Sequence, residues 1–175
     1  MPYENPNPHI SEVYAALVGD EKRNQLIIND ILESLEAGST PLLLTERTQH
    51  VEYLAAQLKQ HVKNIIVLKG GLGKKKRQVA TDQIHDSKDE RRIVIATGRY
   101  IGEGFDDPRL DTLFLAMPIS WHGTLQQYVG RLHRLHDNKR IVRVYDYVDR
   151  NVPVFFKMHE RRLRKYPAIG YSVEY

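Results

Sequence analysis

The chain has 175 residues, enough for one domain with a substantial buried core. It contains no cysteine, which excludes disulfide bonds and cysteine-ligated metal sites, and no apolar run long enough to cross a membrane. The formal net charge is +4, a mild excess that favours polyanionic partners over acidic ones. Because the first residues lack the basic start and apolar stretch of a signal peptide, we expect a cytoplasmic protein without a membrane partner.

The first half of the chain alternates predicted helices and strands. Residues 1–20 contain three prolines and show little periodicity before Ile10, so we expect an N-terminal arm or linker. Apolar residues then recur at helical spacing, which predicts a helix over 21–37 that Gly38 ends. The next predicted elements are a strand at 41–45, a helix at 49–60 and a strand at 64–68.

The second half continues the same alternation. Its predicted elements are a basic helix at 74–84, strands at 92–96, 110–116 and 141–147, a helix after the strand at 110–116, and a closing helix at 152–165. Short, mostly apolar strands separated by helices indicate an α/β fold with a parallel sheet covered on both faces. We expect one domain over 21–152, followed by a C-terminal helix and tail over 153–175. In such sheets ligands bind at the carboxyl ends of the strands.

Two arginines lie three positions apart after the predicted strand at 110–116. At this spacing Arg131 and Arg134 project from the same side of a helix and can converge on one ligand. Each guanidinium stays charged and offers a planar set of donors that matches phosphate oxygens. Two arginines alone are most often a solvated helix face. A glycine-rich loop after an earlier strand of the same predicted parallel sheet favours a polyphosphate contact for this pair instead.

Two loops that follow predicted strands carry further candidate residues. The loop after the strand at 92–96 has three glycines within seven positions, which permits close approach of the backbone to a ligand. The loop after the strand at 41–45 offers a hydroxyl and a cation to a backbone phosphate. The candidates are Thr45 and Arg47 in the earlier loop, and Thr97, Gly98, Gly104 and Asp106 in the later one.

Together these segments resemble the second, C-terminal RecA-like domain of superfamily 2 helicases and translocases. The resemblance covers about residues 22–150 and is strongest in two motifs. Within the superfamily it is most similar to DEAD/DEAH-type and type III restriction-like enzymes. The family's motif VI, Gln-x-x-Gly-Arg-x-x-Arg, is filled by Gln127, Gly130, Arg131 and Arg134; motif V is matched by Ala96-Thr97 and Gly104-Phe105-Asp106, and motif IV by residues 42–47.

The resemblance implies a three-layer RecA-like fold and a role for each matching residue. Arg131 and Arg134 would be arginine fingers that reach the γ-phosphate of an ATP held by another domain. The ATP site would also include Gln127, Gly130, Gly104 and Asp106. Thr97 and Gly98 would grip a phosphate of the tracked strand, with DNA favoured over RNA, and further candidates for that strand are Thr45, Arg47, Gly71 and Lys74.

The chain lacks the other half of such an ATP site. A phosphate-binding P-loop requires Gly-x-x-x-x-Gly-Lys-Ser/Thr, and the nearest segment, Gly70 to Lys75, lacks the spacing and the closing hydroxyl. No acidic box ends a strand to hold Mg²⁺. The resemblance therefore implies ATP as the cofactor, with Mg²⁺ supplied by a missing N-terminal motor domain. We expect this fragment alone to be inactive as an ATPase and to form no metal site.

A stand-alone nucleic-acid-binding module without ATPase activity is the main alternative. From residue 130 to 165 eleven Lys and Arg stand against four Asp and Glu, which fits a phosphate-rich partner. Aromatic rings near these Lys and Arg residues could stack on the nucleobases of a single strand or simply pack within the fold. These rings belong to Tyr145, Tyr147, Tyr166 and Tyr171. A metal hydrolase is disfavoured, because the nearby histidines have no further ligand at a recognised spacing.

Overall fold

The computed structural model describes residues 8–69, 73, 75–76, 78–79, 82–83, 91–97, 107, 109–119, 126, 129, 132 and 141–175. The strands are β1 Pro41–Thr45, β2 Asn64–Leu68, β3 Arg92–Thr97, β4 Thr112–Leu115 and β5 Arg143–Asp146. The helices labelled here are α1 Ile10–Val18, α2 Glu21–Glu36, α3 Thr48–Leu58 and α4 Pro153–Lys165, and a 3₁₀ turn follows at Pro167–Ile169.

The five strands form one sheet in the order β2-β3-β1-β4-β5, and every neighbouring pair is parallel. Successive side chains of a strand point to opposite faces, so each strand contributes to two apolar clusters. Leu43 and Ile95 pack under α2 and α3, whereas Leu44 and Val94 lie in the cluster on the other face. This arrangement confirms the predicted three-layer α/β RecA-like fold.

Helix α1 occupies residues for which the sequence indicated an arm or linker. His9 caps the helix by accepting from the Ser11 amide, and Glu12 reaches back to the His9 amide. Val13 and Leu17 lie one turn apart and are buried in a cluster with parts of α4. The helix was missed because it is short and its apolar face is defined by distant parts of the chain.

The remaining elements follow the predicted order with small differences in their ends. Strand β4 begins at Thr112 and β5 at Arg143, so both are shorter than predicted. Of the predicted basic helix at 74–84, residues 75–76, 78–79 and 82–83 are described, and all six are helical. Among the helices described, none is both long and apolar enough to span a membrane.

Candidate functional site

The carboxyl ends of the strands meet at one edge of the sheet, here called the carboxyl edge. Thr45 at the end of β1 is the register partner of Thr97 at the end of β3. Leu115 of β4 pairs with Asp146 at the end of β5. The topology therefore brings the two predicted threonines together, as expected for residues that end adjacent parallel strands.

Thr45 is fully buried and is bound to a chain of polar side chains behind the edge. Asn24 Nδ2 donates to the Val18 carbonyl at 2.8 Å, which turns Asn24 Oδ1 toward His50. His50 Nε2 donates to that oxygen at 2.8 Å, so Nδ1 accepts from the Thr45 hydroxyl at 2.9 Å. The Thr45 hydroxyl therefore donates its hydrogen bond to His50. Thr45 in this state cannot donate it to a phosphate, and its side chain instead ties β1 to α3 and α2.

His50 is buried and uncharged within this chain. Burial, and secondarily the charge of Arg23, lowers the pKa of His50 from 6.5 to about 4. In the unfolded chain the imidazole returns to its ordinary value, so the unfolded state binds more protons between these two pH values. Stability is therefore lost as the pH falls from about 6.5 toward 4, by up to about 3 kcal/mol.

We expect the free energy of unfolding of the wild type to fall by about 2–3 kcal/mol more between pH 7 and pH 4.5 than that of His50→Gln. Urea unfolding at both pH values measures this difference. His61 is exposed, so His61→Gln is the matched control and keeps the wild-type pH dependence. Equal pH dependence in His50→Gln and the wild type would contradict a neutral buried imidazole.

Thr97 and Arg47 lie at the same edge in different settings. The Thr97 side chain is almost buried, with 8% of the residue exposed. Arg47 is partly exposed, and its guanidinium carbon lies 5.3 Å from the centre of the Tyr14 ring. This contact holds the cation over α1 without neutralising it. Arg47 thus keeps its charge close to the end of β1.

Most of the predicted site residues lie outside the described part of the chain. They are Arg131, Arg134, Gln127, Gly130, Gly104, Asp106, Gly98, Gly71 and Lys74. Two nearby residues of the same segment, Val129 and Leu132, are described, however. Val129 and Leu132 are 0% and 1% exposed and belong to the apolar cluster formed by β1, β3 and β4. Two apolar side chains of motif VI, those of Val129 and Leu132, thus pack on the sheet.

The loop that leaves β4, residues 116–119, is held by side chains from three helices. We call it the β4 exit loop, and it leads toward the motif VI segment. Three of its carbonyl oxygens accept hydrogen bonds from buried or half-buried donors. Arg23 donates to the Ala116 carbonyl, Tyr14 to the Pro118 carbonyl at 2.9 Å, and Arg162 to the Ile119 carbonyl at 2.6 Å. Sequence patterns gave no sign of these contacts.

Two buried ion pairs fix the arginines that hold this loop. Arg23 binds both carboxylate oxygens of Asp149, at 2.8 and 3.1 Å. Arg162 binds both oxygens of Asp146 at 2.8 Å, and Tyr166 donates to the same carboxylate at 2.7 Å. Burial lowers the pKa of Arg162, but the hydrogen bonds and charge of Asp146 outweigh this effect and raise it. Arg162 is therefore charged in the folded protein.

A third buried pair lies at the opposite edge of the sheet. Arg92, the first residue of β3, pairs with Asp107, and Arg109 approaches the same carboxylate at 3.2 Å. Burial lowers the pKa of Arg92, an effect that the charge of Asp107 opposes. Asp107 follows Asp106 in the sequence, so the described end of the motif V loop is tied to the amino end of β3.

The four tyrosines that could stack on nucleic-acid bases are engaged within the protein. Tyr145 stacks on Phe114 with ring centres 4.4 Å apart, and Tyr147 donates to Asp30 at 2.8 Å. Tyr166 is buried on Asp146, and Tyr171 packs on the sheet. Burial and the Asp146 charge raise the pKa of Tyr166 far above its usual value. These contacts favour packing over base stacking for all four rings.

Comparison with known protein families finds one whose model matches most of this chain. The family model described as the helicase conserved C-terminal domain matches residues 22–136, which include the whole of motif VI. The chain belongs to this family. The prediction of a C-terminal RecA-like domain of a superfamily 2 helicase is therefore confirmed.

Two relatives of this helicase domain are viral proteins. Protein 161L of Invertebrate iridescent virus 6, named as a candidate helicase, is 31% identical over 159 residues, or 86% of this chain and 34% of that protein. Transcript termination protein A18 of Vaccinia virus (strain Ankara) is 27% identical over 139 residues, or 78% of this chain and 26% of that protein. The chain thus spans about a third or less of the length of these curated relatives.

Solved structures share the fold of the helicase domain. T4 UvsW superimposes with a TM-score of 0.75 at 16% identity, covering 94% of this chain and 36% of that chain. The C-terminal domain of the DEAD-box protein Dbp5 superimposes with a TM-score of 0.60 at 15% identity, covering 82% of this chain and 78% of that chain. The match to UvsW extends over nearly the whole chain, beyond the 22–136 range of the family model.

Proposed function

We propose that the chain is the second motor domain of an ATP-dependent helicase or translocase, and that it supplies arginine fingers to an ATP site. The observation that carries this proposal is the burial of two motif VI side chains, Val129 and Leu132, against the RecA-like sheet. Arg131 lies between these two residues in the sequence, and their burial supports an anchored motif VI. Fingers stabilise the charge that develops on the γ-phosphate during transfer.

In this proposal the phosphates and Mg²⁺ are held by another RecA-like domain. The chain has no Gly-x-x-x-x-Gly-Lys-Ser/Thr sequence to cradle phosphates, and it spans only part of its curated relatives. Both facts support a P-loop on an N-terminal motor domain of the same protein. Gln127, Gly130, Gly104 and Asp106 then complete the ATP site from this side. This domain alone hydrolyses essentially no ATP.

The carboxyl edge also supplies contacts to the nucleic-acid backbone. We assign these to Thr97 at the end of β3, to Gly98, which follows it in the sequence, and to Arg47 beside Tyr14. Gly71 and Lys74 are further candidates. Thr45 supports the edge through His50 instead of donating to a phosphate. Phosphate contacts of this kind are independent of base sequence and weaken with salt.

Thr97→Ala tests the strand contact in the protein assembled with its P-loop domain. A hydrogen bond to a charged group contributes about 1.5–3 kcal/mol, so about ten-fold or more nucleic acid is needed for half-maximal stimulation of ATP hydrolysis. The rate without nucleic acid stays at the wild-type level. Stimulated ATP turnover, titrated with single-stranded DNA and RNA, gives both quantities and compares the two nucleic acids.

Two further variants distinguish loss of the Thr97 hydroxyl from a general disturbance of the fold. Thr97→Ser keeps the hydroxyl and is expected to restore the wild-type titration. Thr112 begins β4 at the opposite edge and is also buried, so Thr112→Ala controls for loss of a buried threonine methyl and hydroxyl. An unchanged titration for Thr97→Ala would make Thr97 structural. A wild-type protein without stimulated hydrolysis would contradict the proposed function itself.

A further inference from the structure

The C-terminal helix α4 and the tail after it lie beyond the residues matched by the helicase family, yet they contact the β4 exit loop and Val129 of motif VI. We call residues 126–134 the finger segment. The first contact precedes it: Arg162 of α4 donates to the Ile119 carbonyl in the β4 exit loop at 2.6 Å. Since Arg162 is also paired with Asp146, the exit loop is tied to the end of β5.

The second contact reaches the finger segment itself. Gly170 has a φ of 93°, a backbone conformation open mainly to glycine, and the Tyr171 amide donates back to the Tyr166 carbonyl at 3.0 Å. This turn returns the chain to the sheet. Tyr171 Oη then donates to the Val129 carbonyl at 3.3 Å. Ile169 and Tyr171 also pack against the cluster that contains Val129 and Leu132.

The two contacts are joined through Tyr166. Its hydroxyl donates to Asp146 at 2.7 Å, and its ring meets the edge of the Tyr171 ring with centres 6.2 Å apart. Asp146 is thus the common anchor for α4 and for the ring that supports Tyr171. A connected set of contacts runs from the end of β5 to Val129 and Leu132, between which Arg131 lies in the sequence.

We propose that Tyr171 is a positioning residue for the arginine finger Arg131. This inference rests on the proposed function. Tyr171 touches neither ATP nor nucleic acid in the proposal; it holds the base of the finger segment at Val129 and Leu132. A displacement of about 1 Å at a reacting group can cost about 10²-fold in rate even when its origin is distant. A loosened base therefore lowers turnover and leaves substrate binding intact.

The test uses Tyr171→Ala and Tyr171→Phe in the protein assembled with its P-loop domain. We expect Tyr171→Ala to lower kcat for stimulated ATP hydrolysis by about ten-fold, with KM for ATP and the affinity for single strands within about two-fold of wild type. Tyr171→Phe keeps the ring and restores kcat to within about three-fold of wild type. Tyr175 is 93% exposed, so Tyr175→Ala is the matched control and keeps the wild-type kcat.

A pair of glycine variants separates tail position from general stability. Gly38 and Gly170 both have positive φ, and an added Cβ meets no atom within 4 Å at either position. Alanine therefore imposes similar backbone strain at both sites, and thermal unfolding midpoints should fall to a similar extent. Only Gly170→Ala is expected to lower kcat, because Gly38 ends α2 far along the chain from the tail.

The outcomes distinguish this inference from the proposed function. If Arg131→Ala abolishes turnover while Tyr171→Ala and Gly170→Ala leave kcat unchanged, the positioning role is wrong and the finger assignment stands. If Arg131→Ala has no effect, the proposed function fails first. A fall in kcat for Gly38→Ala equal to that for Gly170→Ala would also overturn the positioning role, since stability alone would explain both.

Discussion

Replacing Arg131 with alanine in the protein assembled with its P-loop domain is expected to lower nucleic-acid-stimulated ATP turnover by about 10³–10⁵-fold, and Arg134→Ala by a similar order. The guanidinium groups act on charge that grows in the transition state, so their loss appears in kcat. Binding of single strands stays close to wild type, because the strand contacts are assigned to other residues. Phosphate release and strand affinity, measured on the same preparations, test both statements.

A matched arginine variant shows that the effect is local. Arg91 is exposed and precedes β3 at the amino edge of the sheet, away from the carboxyl edge. Arg91→Ala removes the same charge and is expected to keep wild-type turnover. If Arg131→Ala and Arg134→Ala both retained wild-type kcat, the finger assignment would be wrong, and the basic segment would be a solvated helix face.

The second large effect concerns stability and the pair between α4 and β5. Arg162 is 1% exposed, and Arg162→Met leaves the Asp146 carboxylate buried without its main partner. Breaking a buried pair in this way costs about 3–5 kcal/mol, which for a chain of this size lowers the thermal midpoint by about 6–20 °C. Calorimetry and urea unfolding of the variant measure the loss.

Two comparisons test whether the unpaired, buried charge of Asp146 causes this loss of stability. Adding Asp146→Asn to Arg162→Met removes the buried charge and should recover part of the lost stability. The pair between Lys69 and Glu52 is exposed, and Lys69→Met should change stability by less than about 1 kcal/mol. If the buried and exposed pairs gave equal losses, burial of the Asp146 charge would not be the reason.

Local sequence patterns were sufficient for the sheet and for the family. The strand at 41–45 is a continuous apolar run, and the parallel arrangement follows from such runs separated by helices. The same reasoning placed Thr45 and Thr97 together at one edge, and the structure pairs them in register. These features depend on neighbouring residues and on general rules of parallel sheets, so a single sequence reveals them.

The polar contacts behind the edge depend instead on distant residues. Asn24 and Thr45 meet through His50, and Arg162 meets Asp146 and the Ile119 carbonyl. Nothing in the spacing of these residues shows that they are partners. The sequence indicated that Thr45 donates a hydrogen bond to a phosphate, because its hydroxyl ends a strand. It gave no sign that a histidine from α3 accepts the hydrogen bond of this hydroxyl.

The same dependence on distant residues explains why helix α1 and the packing of the C-terminal tail were not predicted. Helix α1 is defined by burial of Val13 and Leu17 beside Phe155, which is more than a hundred residues away in the sequence. The tail after α4 has no recognisable motif, and its packing on the sheet near Val129 becomes visible only in three dimensions. The ion pair between Arg23 of α2 and Asp149, which follows β5, is equally invisible to periodicity.

The central claim is that this chain completes an ATP site whose phosphates are held elsewhere. The most direct test is one ATP-turnover assay on this chain alone, on the P-loop domain alone, and on the two together, each with and without single-stranded nucleic acid. We predict essentially no turnover by either part and nucleic-acid-dependent turnover by the assembled pair. Turnover by this chain alone, or full stimulated turnover by the P-loop domain without it, would contradict the claim.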